Sequence, residues 1–229
     1  MRLRRKPWAR PELAACPFFV DAPQEVRGSW ASQFPRKAPI YLELGCGKGG
    51  FLAHEAAAHP EVNFIAIDLK SEVLALAKRK VEAALSAAGR PAAQVDNVLL
   101  MSWDIERLHL IFGEEERVDR VYVNFCTPWP KPGDHKHRLT HTRQLMSYRR
   151  WMGEEAELWF KTDDSGLFRD TLEQYLPQAG YRVEYLTWDL HRETLPDNVP
   201  TEHEEMFAAQ GIPIKFLRAK PERGEAAPC

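Results

Sequence analysis

Short apolar runs alternate along this chain with longer stretches of helical pattern. APIYLELG at 38–45 is an apolar run that ends on glycine, as a buried strand does. Four more runs read the same way: NFIAIDL (63–69), DNVLLMSWD (96–104), VDRVYVNF (118–125) and AELWFKTD (156–163). Helix-forming residues fill the gaps. GGFLAHEAAAH follows the first strand and IERLHLIF the third. SEVLALAKRKVEAALSAAG (71–89) opens on Ser and Glu and stops at Gly89, which are start and stop signals. LTHTRQLMSYRRWM (139–152) and SGLFRDTLEQYLPQAG (165–180) are also helical in pattern. YRVEYLTWD (181–189) and IPIKFLRA (212–219) supply two closing strands. This alternation predicts an α/β fold with a mostly parallel, seven-stranded sheet and helices on both faces. Residues 1–37, rich in Pro, Arg and Trp and weakly periodic, read as a basic N-terminal arm. Residues 38–229 read as one domain, a fitting size for a chain of 229 residues that is 44% hydrophobic.

Composition narrows the picture modestly. No apolar run is long enough to span a bilayer. The opening MRLRRKPWAR is basic but lacks the apolar stretch of a secretion signal, so a cytoplasmic protein without membrane attachment is expected. Cys16, Cys46, Cys126 and Cys229 are scattered with no CxxC pair, which argues against a disulfide framework and a zinc site. No metal is expected. The net charge of -2 hides two basic clusters. One holds Arg2, Arg4, Arg5, Lys6 and Arg10; the other holds Lys131, Lys136, Arg138, Arg143, Arg149 and Arg150, interleaved with His135, His137 and His141. Such clusters suit local binding of a polyanion, although solvated surface charge is the commoner fate of a basic run.

In a parallel sheet, ligands bind beyond the carboxyl ends of the strands, and the unusual residues fall there. The first strand ends in LELGCGKGG, where Gly45, Gly47 and Gly49 let backbone approach a ligand closely. A glycine loop alone is weak support for any one nucleotide. Glu43, inside that strand, would repel a pyrophosphate and attract a cation. Asp68 closes the second strand, where a carboxylate can accept from two ribose hydroxyls. Asp104 closes the third beside Trp103, an amine acceptor next to an aromatic wall. Each acid alone is as readily a cap or turn residue. Together they fit S-adenosylmethionine, a cationic donor without phosphate, better than NAD.

At larger scale the chain resembles the bacterial tRNA (guanine-N7-)-methyltransferases. MRLRRKPWA is similar to their N-terminal arm and LELGCGKGGF to their cofactor loop. VNFCTPWPK followed by HKHRLT resembles their central motif, usually N-F-S-D-P-W-P-K with basic residues and R-L-T after it. FKTDDSGLF resembles their K-T-D segment, and PTEHEEMFAAQGIPIKFL their closing T-x-[YF]-E motif. The resemblance covers nearly the whole chain in order. It implies the Rossmann-like fold of S-adenosylmethionine-dependent methyltransferases and formation of 7-methylguanosine in the variable loop of tRNA. It implies cofactor binding by Glu43, Asp68 and Asp104, and substrate binding by Lys131, Asp163 and the segment Thr201–Glu204. A monomer or a homodimer is compatible with the pattern.

Guanine N7 offers an in-plane lone pair and has no proton to lose, so the reaction needs orientation and exclusion of water more than a general base. A carboxylate can offset the positive charge that develops on the purine, and Asp163 is the candidate, with Glu204 as a second. Asp163 could instead cap the following helix, a task Asp164 can also perform. Lys131 is a candidate phosphate or O6 ligand, Arg138 a candidate substrate ligand in the basic string with Lys136 and His137, and Trp129 a candidate stacking surface. Cys46 and Cys126 read as small buried fillers. The chain departs from the family pattern at Cys126-Thr127, where Ser-Asp is usual, and at Pro132, Gly133 and Asp134, where basic residues are usual. Thr127 keeps a place among the catalytic candidates as a hydrogen-bonding residue that cannot offset charge. The alternatives are a homologue that binds the cofactor or tRNA without catalysis or on another substrate, an amine-directed nucleobase methyltransferase, and a small-molecule methyltransferase. TPWP lacks the acceptor that amine chemistry uses, and a small-molecule enzyme does not need the basic arm.

Overall fold

A computed structural model describes residues 6–90, 95–193, 195 and 198–222. Arg2, Arg4 and Arg5 of the basic arm, and Cys229, lie outside the described residues. The seven strands are β1 (Ile40–Leu44), β2 (Asn63–Asp68), β3 (Val98–Ser102), β4 (Val118–Asn124), β5 (Met152–Thr162), β6 (Tyr181–Thr187) and β7 (Lys215–Pro221). They form one sheet in the order β3-β2-β1-β4-β5-β7-β6. Six run in one direction, and β7 alone runs antiparallel, between β5 and β6. The chain winds outward from β1 to β3 and then crosses back to place β4 on the other side of β1. That reversal opens a crevice between the carboxyl ends of β1 and β4, the standard ligand position in such sheets.

Strand alternation sorts the core onto two faces. Leu42, Leu44, Val121, Val123, Leu158 and Phe160 pack with residues of α4 (Thr142–Arg149), α5 (Ser165–Asp170) and α6 (Leu176–Ala179). A five-residue π segment, Thr171–Tyr175, joins α5 to α6. Pro177 lies just beyond it and has no N–H to give the carbonyl one turn back, which favours the wider turn. On the other face, Phe64, Ala66 and Leu100 pack with α1 (Ala9–Ala14), α2 (Gly50–Ala58) and α3 (Ser71–Ala87). Phe51, Tyr122, Trp159 and Phe216 continue that layer.

The segment expected as an arm is packed where it is described. Leu13 and Cys16 enter the same cluster as Leu74 and Val81 of α3. Phe18 and Val20 exchange backbone hydrogen bonds with Leu100, both 2.8 Å, beside β3. The Trp30 indole donates to the carbonyl of Ile111 at 2.7 Å and its ring stacks on Phe112. Non-periodic aromatic anchors of this kind leave no regular signature in sequence. A further helix, α7 (Glu202–Ala208), is formed by the closing motif, for which the hydrophobic pattern predicts no element. Among the described residues no helix is long and apolar enough to cross a membrane, and no group of His, Cys, Asp or Glu is gathered to hold a metal ion.

One glycine is fixed by packing as well as by backbone. Gly49 caps α2 at φ 70°, and a Cβ there meets the Ala77 Cβ at 2.5 Å. Gly49→Ala therefore forces α2 from α3 while straining a left-handed residue. The expected loss is about 2–4 kcal/mol of stability, read by denaturant unfolding.

Candidate active site

Two cavity lobes meet at Gly45 and Phe125, at the β1–β4 crevice. The first, about 240 Å³, is bounded by the glycine loop, Glu43, Asn124 and the start of α7. The second, about 330 Å³, is bounded by Asp68, Trp103, Asp104, Thr127, Trp129 and His137.

Glu43 forms the floor of the first lobe. It is only 5% exposed, and just one of its oxygens has a partner: Asn124 Nδ2 donates to Oε1 at 3.4 Å, while Oε2 has none. The Oδ1 of Asn124 is likewise buried without a partner. Burial pushes the Glu43 carboxyl up to about 8, with Glu55 and Asp68 adding to the rise against the Asn124 hydrogen bond and Lys161. A buried acid with an orphaned oxygen is costly unless something fills the gap, and a cation suits it. Gly45 and Gly47 adopt left-handed φ of 82° and 53°, and the space a side chain would take there is open. The cleft therefore has room for a ligand against backbone, as S-adenosylmethionine requires.

Asp68 is half-buried and organises the loop. Its two oxygens accept from the backbone N–H of Gly47 and of Lys70, each at 3.0 Å, leaving further lone pairs toward the second lobe. Asp104 accepts from Glu106 N–H at 3.0 Å as the cap of a short 3₁₀ helix, Ile105–Leu110. The Trp103 indole donates to the carbonyl of Arg107 at 3.1 Å, which sets its ring as a wall. The plain cap reading of these acids is thus true, and the lobe they line uses what remains of each.

The turn after β4 is strained at two residues. Phe125 and Trp129 have φ of 52° and 44°, values that cost a non-glycine residue about 1–2 kcal/mol each. The surroundings hold them. Phe125 N–H donates to the carbonyl of Lys161 at 2.9 Å, and its ring stacks at 5.7 Å on His203 of α7. Between them, Thr127 is exposed at the edge of the second lobe. The Cys126 thiol is pushed up to about 12 by burial, and that of Cys46 is also raised by burial, which suits fillers rather than nucleophiles.

Two expected substrate ligands sit elsewhere. Arg138 is buried rather than presented to solvent. Its guanidinium donates to the carbonyl of Pro128 at 2.7 Å, to Asp170 at 2.6 Å and to Tyr175 Oη at 2.9 Å. It braces the strained turn from behind. Glu204 is fully buried, 2.9 Å from Lys161 Nζ, and also accepts from Asn198. With Thr201 it closes a capping box at the head of α7. Lys161 also donates to the carbonyl of Val199 at 2.9 Å, so this pair anchors the segment that roofs the first lobe. Neither Arg138 nor Glu204 is free to hold a base in this arrangement.

Asp163 fits its expectation differently. Asp164, not Asp163, caps α5, accepting from Leu167 N–H at 2.6 Å. The Asp163 backbone carbonyl accepts from Lys215 at 2.8 Å, while its half-buried carboxylate has no partner among the described residues. It stands one residue beyond β5, beside the β4 turn, but outside both lobes. Lys131 is exposed, starts a 3₁₀ helix, and is likewise outside them. Thr201 lines the first lobe. Asn124 and Lys161 were missed as site residues, whereas His203 lies inside the expected Thr201–Glu204 segment. The T-x-x-E spacing was a readable capping signal, whereas Lys161 and Asn124 depend on contacts across the sheet.

Comparison with known proteins agrees with this geometry. A family model described as "Putative methyltransferase" matches residues 37–217. The chain is 51% identical over 220 residues to a tRNA (guanine-N(7)-)-methyltransferase of Ruminiclostridium cellulolyticum, covering 96% of this chain and 92% of that protein. It is 52% identical over 219 residues to the protein of that name from Clostridium beijerinckii, covering 96% and 98%. Among solved structures, the 16S rRNA methyltransferase KamB aligns over 84% of this chain and 91% of its own, with a TM-score of 0.56 at 14% identity. An antibiotic-related methyltransferase aligns over 84% and 90%, with a TM-score of 0.55 at 18% identity. At those identities the likeness is one of fold.

Proposed function

Because the chain belongs to the tRNA (guanine-N(7)-)-methyltransferase family, we propose a division of labour within the cleft for methylation of guanine N7 in tRNA. The methyl donor is S-adenosylmethionine, which supplies an electrophilic methyl group on a sulfonium. Glu43 and Asn124 receive the cationic amino-acid end of the donor, Gly45 and Gly47 admit its backbone-hugging middle, and Asp68, Trp103 and Asp104 receive the nucleoside. The observation that carries this assignment is that Glu43, which lines the first lobe, is buried with one carboxylate oxygen unpartnered.

Guanine brings its own lone pair at N7, so no side chain must remove a proton at the attacking atom. What the protein supplies is placement, a dry contact and compensation of charge. Asp163, with its unpartnered carboxylate beside the β4 turn, accepts from the Watson–Crick edge of guanine and offsets the charge that grows on the ring. Thr127, at the lip of the second lobe, orients by hydrogen bonding. Lys131 contacts a phosphate, and exposed Trp129 stacks on an unpaired base. Thr201 shapes the donor lobe. Arg138 and Glu204 act one layer back, by holding the turn and the α7 segment that form the walls. A tRNA substrate suits the cytoplasmic location expected from the sequence.

The test is incubation of unmodified tRNA with the protein and labelled donor, followed by nucleoside analysis. Labelled 7-methylguanosine is the expected product. Donor binding with no labelled nucleoside, or label in another nucleoside, contradicts the proposal.

The Glu43 assignment also carries a pH dependence. Its carboxyl is raised from 4.5 to about 8 on folding. Between those values the folded protein holds a proton that the unfolded chain has released, so this group's contribution to stability falls as pH rises through that window. Glu43→Gln removes the effect. The variant is expected to melt higher than the native protein at pH 8.5, to differ less at pH 5, and to lose donor binding. Thermal melts at the two pH values and a donor titration check this. For the native protein, donor affinity should rise with pH up to about 8, since a cationic ligand selects the ionised carboxylate.

A further inference from the structure

The second basic cluster is largely committed within the protein. Arg138 is buried against Asp170 and Tyr175. Arg149 donates to the carbonyls of Ala179 and Glu222, and Arg150 pairs with Glu114 at 3.6 Å. His135 lies 2.9 Å from the Arg138 guanidinium, and His141 accepts from Arg143 N–H at 3.2 Å. The His137 ring and the Arg143 guanidinium both reach the Glu106 carboxylate, at 2.6 and 3.2 Å. Among the described residues, only Lys131 and Lys136 of the cluster keep side chains without a hydrogen bond or ion pair.

Glu106 is the hub. Its backbone N–H donates to Asp104, and its carboxylate accepts from His137 Nδ1. Glu106 and His137 line the second lobe together with Trp103, Asp104 and Trp129. The His137 ring lies 5.3 Å from the Trp129 ring. Between those two residues runs the 3₁₀ helix Pro132–His137, so the ends of this loop meet. Glu106 then ties the closed loop to the wall that follows β3. Trp129 needs such support. It is 38% exposed and left-handed, so neither burial nor backbone preference holds its ring. An acid beside a basic loop would otherwise only repel a polyanion.

We propose that His137 is a positioning residue rather than a phosphate ligand: clasped by Glu106, it holds the Trp129 ring where an unpaired base of tRNA stacks. This rests on the cleft being the site of tRNA methylation. Phosphate contact in the loop falls to Lys131 and Lys136.

The two readings of Glu106 have opposite signs. An acid that merely faces RNA weakens binding, and removing it tightens the complex. An acid that clasps His137 strengthens binding, and removing it loosens the complex. Titration of unmodified tRNA with the full chain, across about 50–200 mM salt, separates them. His137→Ala and Glu106→Met should each weaken tRNA about fivefold, the scale of one partly exposed ion pair. The double variant should be no weaker than either. In a Trp129→Ala background, His137→Ala should cost nothing more. His137→Asn, whose amide nitrogen sits where Nδ1 does, should recover most of the loss. The salt slope of His137→Ala should stay native, whereas Lys131→Met should reduce it by about 0.7–0.9, the mark of one lost phosphate contact. Tighter tRNA binding by Glu106→Met, a reduced salt slope in His137→Ala, or a full fivefold loss in the Trp129→Ala background overturns the proposal. Donor titration without tRNA should be native in both single variants, because the N–H that holds Asp104 belongs to the backbone. An equal loss of donor affinity would make the pair part of the donor wall and also overturns it. Failure of the native protein to bind tRNA overturns it together with the proposed function. The expected pattern of tRNA binding without 7-methylguanosine formation supports the clasp and counts against the reaction alone. Thermal melts of both single variants should match the native protein, since the Arg138 brace remains.

Discussion

Asp163→Ala should lower the methylation rate on tRNA by roughly 10²–10³-fold, the cost of losing one group aimed at transition-state charge, while donor affinity stays at the native value. The expectation follows from three observations. The capping task next door is done by Asp164. The Asp163 backbone is pinned through Lys215. Its carboxylate is left uncommitted beside the turn that forms the lip of the cleft. An acid held rigidly without a partner costs stability and gains meaning only when something else arrives. Single-turnover kinetics with saturating tRNA separates a loss of chemistry from a loss of binding. Asp163→Asn should recover little, because the amide keeps the shape but not the charge. Native-like turnover in Asp163→Ala would place the charge-compensating group elsewhere.

Lys161→Met should unfold at a temperature lower by about 10 °C, from a loss of about 3–5 kcal/mol in a chain of this size. Lys161 and Glu204 are buried together at 2.9 Å, and removing the cation strands a carboxylate with no water to solvate it. Burial by itself lowers the Lys161 pKa, against the pull of Glu204, so the pair is held by its geometry and its extra hydrogen bonds. Those bonds reach Asn198 and Val199, ahead of Thr201. Loss of the pair should therefore loosen the α7 segment and weaken donor binding as well as stability. The double variant Lys161→Met/Glu204→Leu should recover part of the lost stability, since no charge is then left unpaired. If Lys161→Met melts like the native protein, the pair is not the anchor described here.

The fold was largely legible because buried parallel strands announce themselves as apolar runs with breakers at their ends. β1 to β4 fall within a residue or two of the runs read from sequence. The acids at strand ends were legible for the same reason, since a carboxylate closing an apolar run is conspicuous. What escaped depended on partners distant in sequence. Arg138 lies in a basic stretch that looks solvated, and only Asp170 and Tyr175, brought alongside by α5 and the π segment, reveal it as buried. Lys161 has no local sign of its partner 43 residues on. The register of β4 on β1 pairs Glu43 with Tyr122, and Asn124, two residues on and on the same face, reaches Glu43 through its side chain. Helix α7 was signalled by Thr201 and Glu204, but those residues suit a capping box and a substrate motif equally well, and the structure shows the capping box formed.

The central claim is that the cleft delivers its methyl group to N7 of guanine in tRNA. The most direct measurement compares a tRNA substrate containing guanine at the modified position with one carrying 7-deazaguanine there, where a C–H replaces the nucleophilic nitrogen and the Watson–Crick edge is unchanged. Both should bind the protein equally, and only the guanine-containing tRNA should take up labelled methyl. Incorporation into the 7-deaza substrate at a comparable rate would contradict the account.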